Sequence, residues 1–162
     1  MKYLITGITG QDGLHLTSKI LSSASKDSVL GITRTIPNKS FFKNLEYLIP
    51  KADFKSVELT SIDMLKSYDV EKIISDYRPD MIFNLSGPSS VYNSFANPQS
   101  TVDSIYGIFN NLVNACVKNN NFCSFFQPSS SEMFKDSKGE RLTEKSELKP
   151  LSPYAKAKYS VH

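Results

Sequence analysis

Two cysteines, Cys116 and Cys123, are all that the 162 residues contain, and they fall in no metal or redox spacing. A chain without disulfide staples is expected in a reducing compartment, so a cytoplasmic location follows. No block of lysine or arginine occurs: the formal net charge of +3 is spread through mixed-sign sequence. That pattern excludes a nucleic-acid groove and a polybasic membrane patch, and is compatible with an anionic small ligand. No apolar run reaches membrane-spanning length, and the first residues enter a strand pattern directly, so neither a membrane span nor a signal peptide is expected. Internal repeats and low-complexity stretches are also missing. The composition is 40% hydrophobic and 22% charged, an ordinary soluble globular balance with length for one core.

The stretch that organises the rest is Gly7-Ile8-Thr9-Gly10-Gln11-Asp12-Gly13, between the apolar run Tyr3-Leu4-Ile5 and a helical pattern. Gly7 permits a tight turn, Gly10 lets backbone approach a pyrophosphate, and Gly13 lets a helix lie close on a strand. The free N–H groups and positive dipole end of that helix would favour phosphate. A plain tight turn could use the same glycines; the strand-loop-helix context is what points to a dinucleotide.

Lys2 to Thr6 reads as a central parallel strand, followed by a helix with Leu14, Leu16, Ile20 and Leu21 inward that dissolves at Ser22 to Ser25. Val29 to Thr33 reads as a second strand ending in Arg34. About twenty residues past the last glycine, an acid would hold a ribose 2′-hydroxyl and an arginine would accommodate a 2′-phosphate. No acid stands there, so Arg34 is either that phosphate contact or a solvated loop cation. Phe41 to Ile49 suits a short helix and Phe54 to Leu59 a third strand. Met64 to Tyr77 reads as helix, with Leu65, Ile73, Ile74 and Tyr77 inward and Arg78-Pro79 as its stop.

Met81 to Leu85 is a buried strand entering the small-residue loop Ser86-Gly87-Pro88-Ser89-Ser90. Pro98 to Asn119 carries Val102, Ile105, Tyr106, Phe109, Leu112, Val113 and Cys116 at the spacing of one buried helical face. Phe122 to Gln127 reads as strand five and opens into Pro128-Ser129-Ser130-Ser131-Glu132, a hydroxyl-rich elbow where open α/β sheets place ligands. Lys135 to Lys149 reads as loop, and Pro153 suits a helix start. The alternation of strand and helix predicts a doubly wound parallel sheet, a Rossmann fold.

Tyr154 and Lys158 stand four apart and would share a helix face. They are either a surface pair or a pair serving one ligand, in which the ammonium favours the phenolate of a tyrosine whose ordinary pKa is about 10. Glu132 is either a base or a carboxylate bonding loop N–H groups.

Gly7 to Gly13, the Gly-Ile-Thr-Arg of Gly31 to Arg34, Asn84-Leu85, Ser129 to Glu132, and Ser152-Pro153-Tyr154 through Lys158 occur in one chain order. Through them the chain resembles the extended short-chain dehydrogenase/reductase family, in its branch of nucleotide-sugar 4,6-dehydratases acting on GDP-mannose. The resemblance implies NADP, with NAD the lesser fit, held by Gly7, Thr9, Gly10, Gln11, Asp12, Gly13 and Arg34. Asp63 with Met64 would meet the adenine; Leu85, Ser86, Gly87, Tyr154 and Lys158 would complete the cofactor site. The implied catalytic set is Ser130, Glu132, Tyr154 and Lys158, with no metal.

Implied too are a GDP-4-keto-6-deoxy product and a homo-oligomer as the complete protein. Ser130 replaces the family's usual threonine and keeps the hydroxyl. Gly87-Pro88, Pro128 and Met133-Phe134-Lys135 also depart from the pattern along the nicotinamide and sugar sites, which leaves the sugar open. The family pattern continues past His162 into a sugar-binding region. Residues 1–162 are thus expected to be an incomplete cofactor-binding portion without turnover of its own. The rivals are an epimerase or reductase of the same family, and a non-catalytic dinucleotide-binding module.

Overall fold

The computed structural model describes residues 1–23, 26–36, 39–50, 52–134, 139 and 141–162. Its strands are β1 (Lys2–Thr6), β2 (Ser28–Thr33), β3 (Val57–Ser61), β4 (Met81–Asn84) and β5 (Ser124–Phe126). Between and after them run α1 (Gln11–Ser23), α2 (Ser40–Leu48), α3 (Ser67–Tyr77), α4 (Val91–Ala96), α5 (Pro98–Lys118), a 3-10 turn (Ser131–Met133) and α6 (Pro153–Ser160). The sheet is parallel throughout in the order β3-β2-β1-β4-β5, the doubly wound architecture predicted.

β1 sits at the centre because its residues are apolar toward both faces. Leu4 packs with Leu30, Ile32 and Ile82 beneath α3 and α5, where Val70, Ile74, Ile108 and Leu112 meet them. Its neighbour Ile5 points the other way, with Val29 and Val57, toward Ile20 of α1 and Phe41 and Leu45 of α2. Strand alternation thus sorts adjacent residues into two cores, one on each side of the sheet. Chain order reverses between β1 and β4, and the crevice at their carboxyl ends is where such sheets take ligands.

The boundaries differ from the sequence expectation in ways with local causes. The third strand, expected over Phe54 to Leu59, lies over Val57–Ser61, in register with β2 from Val29↔Val57 to Thr33↔Ser61. Phe54 instead closes the preceding turn, its carbonyl accepting the Val57 N–H at 2.9 Å. The helix expected from Met64 begins at Ser67, because the Asp63 carboxylate accepts the Leu65 N–H at 3.0 Å and holds a turn there. Leu65 is consequently exposed, and Val70 takes an inward place.

On α5 the buried stripe is Thr101, Ile105, Ile108, Leu112 and Ala115; Tyr106, expected inward, is 47% exposed. The sequence reading had no helix at Val91–Ala96, which is capped by Ser90 Oγ accepting the Asn93 N–H at 3.1 Å. Ala24 and Ser25, and residues 135–138 and 140 of the expected Lys135 to Lys149 loop, lie outside the described residues. No helix among the described residues is long and apolar enough to cross a membrane.

Candidate functional site

Gly7 has a φ of 66°, and a Cβ there would meet the Leu85 carbonyl oxygen at 2.8 Å. The loop after β1 therefore presses on the chain leaving β4, a contact that only glycine allows. At Gly13 a Cβ would meet the Ile8 backbone at 2.5 to 2.7 Å, so α1 starts hard against the end of β1. Gly10 is different. Its Cβ would touch only the Gly7 carbonyl, at 3.2 Å, and it is exposed together with Thr9, Gln11 and Asp12. The first turn of α1, whose N–H groups have no partners within the helix, thus faces an open cradle at the carboxyl end of the sheet. A side chain at Gly10 would stand in that exposed space, so its absence leaves room for a pyrophosphate.

Across the crevice, Leu85, Ser86 and Gly87 follow β4. Ser86 donates its N–H to Thr6 Oγ1 at 3.1 Å, and Thr6 donates its hydroxyl to Asn84 Oδ1 at 2.7 Å. Gly87 takes a φ of 115° beside exposed space, with Ile105 the nearest group to a Cβ, at 3.5 Å. This loop is the second wall of the cradle.

Arg34 leaves β2 exposed, its carbonyl accepting Ser61 Oγ at 2.8 Å. A cleft of about 510 Å³ is lined by Arg34, Ser61, Ile62, Asp63, Lys66 and Asp69. Met64, expected beside Asp63, is buried in the core with Leu4 and Ile74, so its side chain does not line that cleft. A second cleft, about 270 Å³, has Thr9, Thr33, Thr35, Ser40 and Asn44 among its walls and no carboxylate. Sequence reading missed Thr35, Ser40 and Asn44, which are spaced among Arg34, Ile36 and Lys39 in no motif.

β5 delivers the third group. Ser130 caps the 3-10 turn, its Oγ accepting the Glu132 N–H at 3.3 Å. The Glu132 side chain is exposed and bonds to no loop N–H among the described residues. The loop that follows returns to this turn through the Lys149 N–H, which donates to the Met133 carbonyl at 2.8 Å. α6 packs against the turn, α4 and α5. Ser152 caps α6, accepting the Ala155 N–H at 3.0 Å, and Pro153 fills the first position as predicted.

The Tyr154 ring is buried with Ile105, Ala157 and Val161. Its hydroxyl has no partner among the described residues; yet no fully buried side-chain N or O atom lacks one, so solvent reaches it. Lys158 is buried too: its Nζ lies 6.0 Å from the Tyr154 ring centre and donates to the Pro128 carbonyl at 2.9 Å. Burial pushes the Lys158 pKa below its ordinary value. The pair is therefore not a surface pair, and no hydrogen bond joins Ser130, Glu132 and Tyr154 side chains directly. What the fold brings to the carboxyl side of the sheet is an exposed glycine loop at a helix start and, on the elbow after β5 and on α6, a hydroxyl, a carboxylate, a phenol and an ammonium.

A family model described as GDP-mannose 4,6 dehydratase matches residues 4–162. GDP-mannose 4,6 dehydratase 2 of Arabidopsis thaliana is 32% identical over 165 residues, a match that covers 98% of this chain and 43% of that protein. The Homo sapiens GDP-mannose 4,6 dehydratase is 33% identical, with 96% and 42% covered. The chain thus spans less than half the length of these curated relatives. Among solved structures, the UDP-Glc/GlcNAc 4-epimerase of Campylobacter jejuni aligns with a TM-score of 0.84 at 19% identity, over 99% of this chain and 46% of that one. A dTDP-glucose 4,6-dehydratase of Streptomyces venezuelae, solved with NAD bound, aligns at 0.78 and 22%, over 99% and 49%.

The buried ammonium makes a pH signature. A lysine whose folded pKa is lowered binds fewer protons folded than unfolded between that pKa and about 10.5, so stability rises with pH in that window. The Lys158→Met variant lacks this contribution. Urea midpoints across a pH series should show the parent gaining on the variant as pH climbs toward 10.5; a pH-independent gap would contradict the burial.

Proposed function

The chain belongs to the GDP-mannose 4,6 dehydratase family, and on that premise we propose that residues 1–162 are the dinucleotide-binding portion of an NADP-dependent nucleotide-sugar 4,6-dehydratase, with GDP-mannose its substrate. The reading is carried by one observation: from the end of β1, where the glycine loop begins, side-chain hydrogen bonds run through Thr6, Asn84 and Gln127 to the elbow whose Pro128 carbonyl holds buried Lys158, beside Tyr154. A GDP-4-keto-6-deoxy sugar is the product, and a cytoplasmic, homo-oligomeric complete protein goes with this reading.

When bound, the nicotinamide supplies a reversible hydride sink, which lets the sugar be oxidised at C4 and reduced at C6. The residues handle the protons. Tyr154 takes the O4 proton; Lys158 favours the phenolate by its charge and holds a ribose hydroxyl. Ser130, which keeps its hydroxyl proton while its oxygen accepts the Glu132 N–H, donates to O4. Glu132 removes the C5 proton, acidic only beside a C4 ketone, and water then leaves from C6. An epimerase needs the tyrosine and lysine but no base at C5. The unengaged, exposed carboxylate of Glu132 therefore favours the dehydratase over the solved epimerases of the same fold.

NADP is favoured over NAD because Arg34 stands exposed at the end of β2 in place of the acid that would hold a ribose 2′-hydroxyl; Asp63 and Asp69, which share its cleft, come from the chain after β3 and from α3. A charge-assisted contact contributes about 1.5 to 3 kcal/mol, roughly a ten- to hundredfold preference. Titration calorimetry should find that preference in the parent and its loss in Arg34→Ala; equal parental affinities would leave Arg34 a loop cation.

General base catalysis is worth roughly a hundred- to ten-thousandfold. In a protein that carries this chain together with the remaining length of its relatives, Glu132→Gln should cost that much of the dehydration rate, and deuterium exchange at C5 should fall with it. Cofactor affinity should hold. Dehydration at the parental rate would make Glu132 structural and move the epimerase reading ahead.

A further inference from the structure

One line of side chains crosses the carboxyl ends of β1, β4 and β5. Thr6 Oγ1 accepts the Ser86 N–H at 3.1 Å, so its own proton is free for Asn84 Oδ1 at 2.7 Å; that oxygen also accepts Ser86 Oγ–H at 3.1 Å. With its oxygen taken twice, the Asn84 amide has only its nitrogen to offer, and Nδ2 donates to Gln127 Oε1 at 2.7 Å. Gln127 then presents its own Nε2 to the Pro128 carbonyl, at a long 3.5 Å. That same carbonyl accepts the one hydrogen bond that the Lys158 ammonium makes among the described residues, at 2.9 Å.

Asn84 is 1% exposed, so the amide that grips Gln127 is itself fixed by the sheet. The backbone adds to the restriction. A residue before proline is confined to extended conformations and proline fixes its own φ, so what remains to aim the Pro128 carbonyl is its ψ, which the Gln127 Nε2 contact restrains. Besides the Tyr154 ring, 6.0 Å from Nζ, no charged group among the described residues braces Lys158: it takes part in none of their ion pairs. A buried ammonium with a single acceptor depends on where that acceptor stands.

We propose that Gln127, gripped by Asn84, is a positioning residue for Lys158: it sets the Pro128 carbonyl where that carbonyl can hold the lysine's N–H. The inference rests on the reading of Lys158 as the cation that serves Tyr154 and a ribose. It adds that the residue governing the lysine lies on the far side of the elbow from it, and that β4 reports to α6 through side chains.

The test reads the lysine, not turnover. In the 162-residue chain with 13C-labelled lysine ε-carbons, the Lys158 resonance is assigned by its absence in Lys158→Arg and titrated without dinucleotide. Gln127→Met keeps the length but removes the acceptor for Asn84 Nδ2. The freed carbonyl then supports the charged lysine less, and the Lys158 midpoint should fall by about half a pH unit or more while other lysines stay in place. Asn84→Ser leaves Gln127 in place without the amide that grips it and should lower the midpoint in the same direction. A Met variant that loses urea stability with the Lys158 midpoint unmoved would overturn the proposal. Should that variant fail to fold, a fall in Asn84→Ser supports the proposal and an unmoved midpoint there overturns it. Calorimetry of NADP binding to the parent is a separate outcome: failure there would sink the cofactor reading and leave the titration result standing.

Discussion

The contact on which the molecule turns is backbone against backbone at the end of β1. Gly7 lies where a Cβ would strike the Leu85 carbonyl, and Gly13 where it would strike Ile8. These two approaches hold the first loop against β4 and the first helix against β1. The sheet order follows the same constraint, since β1 must be flanked by β2 and β4 for one loop to touch both neighbours: Gly7 donates its N–H to the Ile32 carbonyl at 3.0 Å on one side and presses on Leu85 on the other. A crevice results whose walls are N–H groups and small side chains, at the strand ends that also carry the β5 elbow.

Polar side chains then connect that crevice to α6. Thr6 and Asn84 are buried, and so is Lys158. Each would be costly without a partner, and the described structure leaves no buried side-chain N or O atom unpaired. The glycine loop and the lysine are in this sense parts of one assembly, tied through Thr6, Asn84 and Gln127. The exposed carboxylate of Glu132 and the partnerless hydroxyl of Tyr154 stand outside that network, which leaves them available to a substrate.

Features set by the backbone were readable from the residues. The glycine spacing announced its strand-loop-helix setting because no other residue tolerates those approaches, and Ser152-Pro153 announced the start of α6 because capping and a fixed φ are local chemistry. Stripe reading found α5 but turned it slightly: Tyr106 is apolar enough to count inward, while the small polar Thr101, which is buried, was not counted. Leu65 misled in the same way, since the Asp63 turn that exposes it is not a hydrophobic signal. The helix at Val91–Ala96 is a short one whose buried residue is Ser94 while Tyr92 and Phe95 are exposed, so no apolar stripe marks it. The Thr6–Asn84–Gln127 line could not be read at all. Its partners are 78 and 43 residues apart, and only the folded sheet places them side by side.

The central claim is that the β1/β4 crevice is a dinucleotide site, and amide chemical-shift mapping of the 162-residue chain during NADP titration tests it most directly. The account predicts shifts concentrated at Thr9 to Gly13, at Arg34, and at Leu85 to Gly87, all saturating with one affinity. Saturable binding that leaves those amides unmoved and shifts others would contradict it.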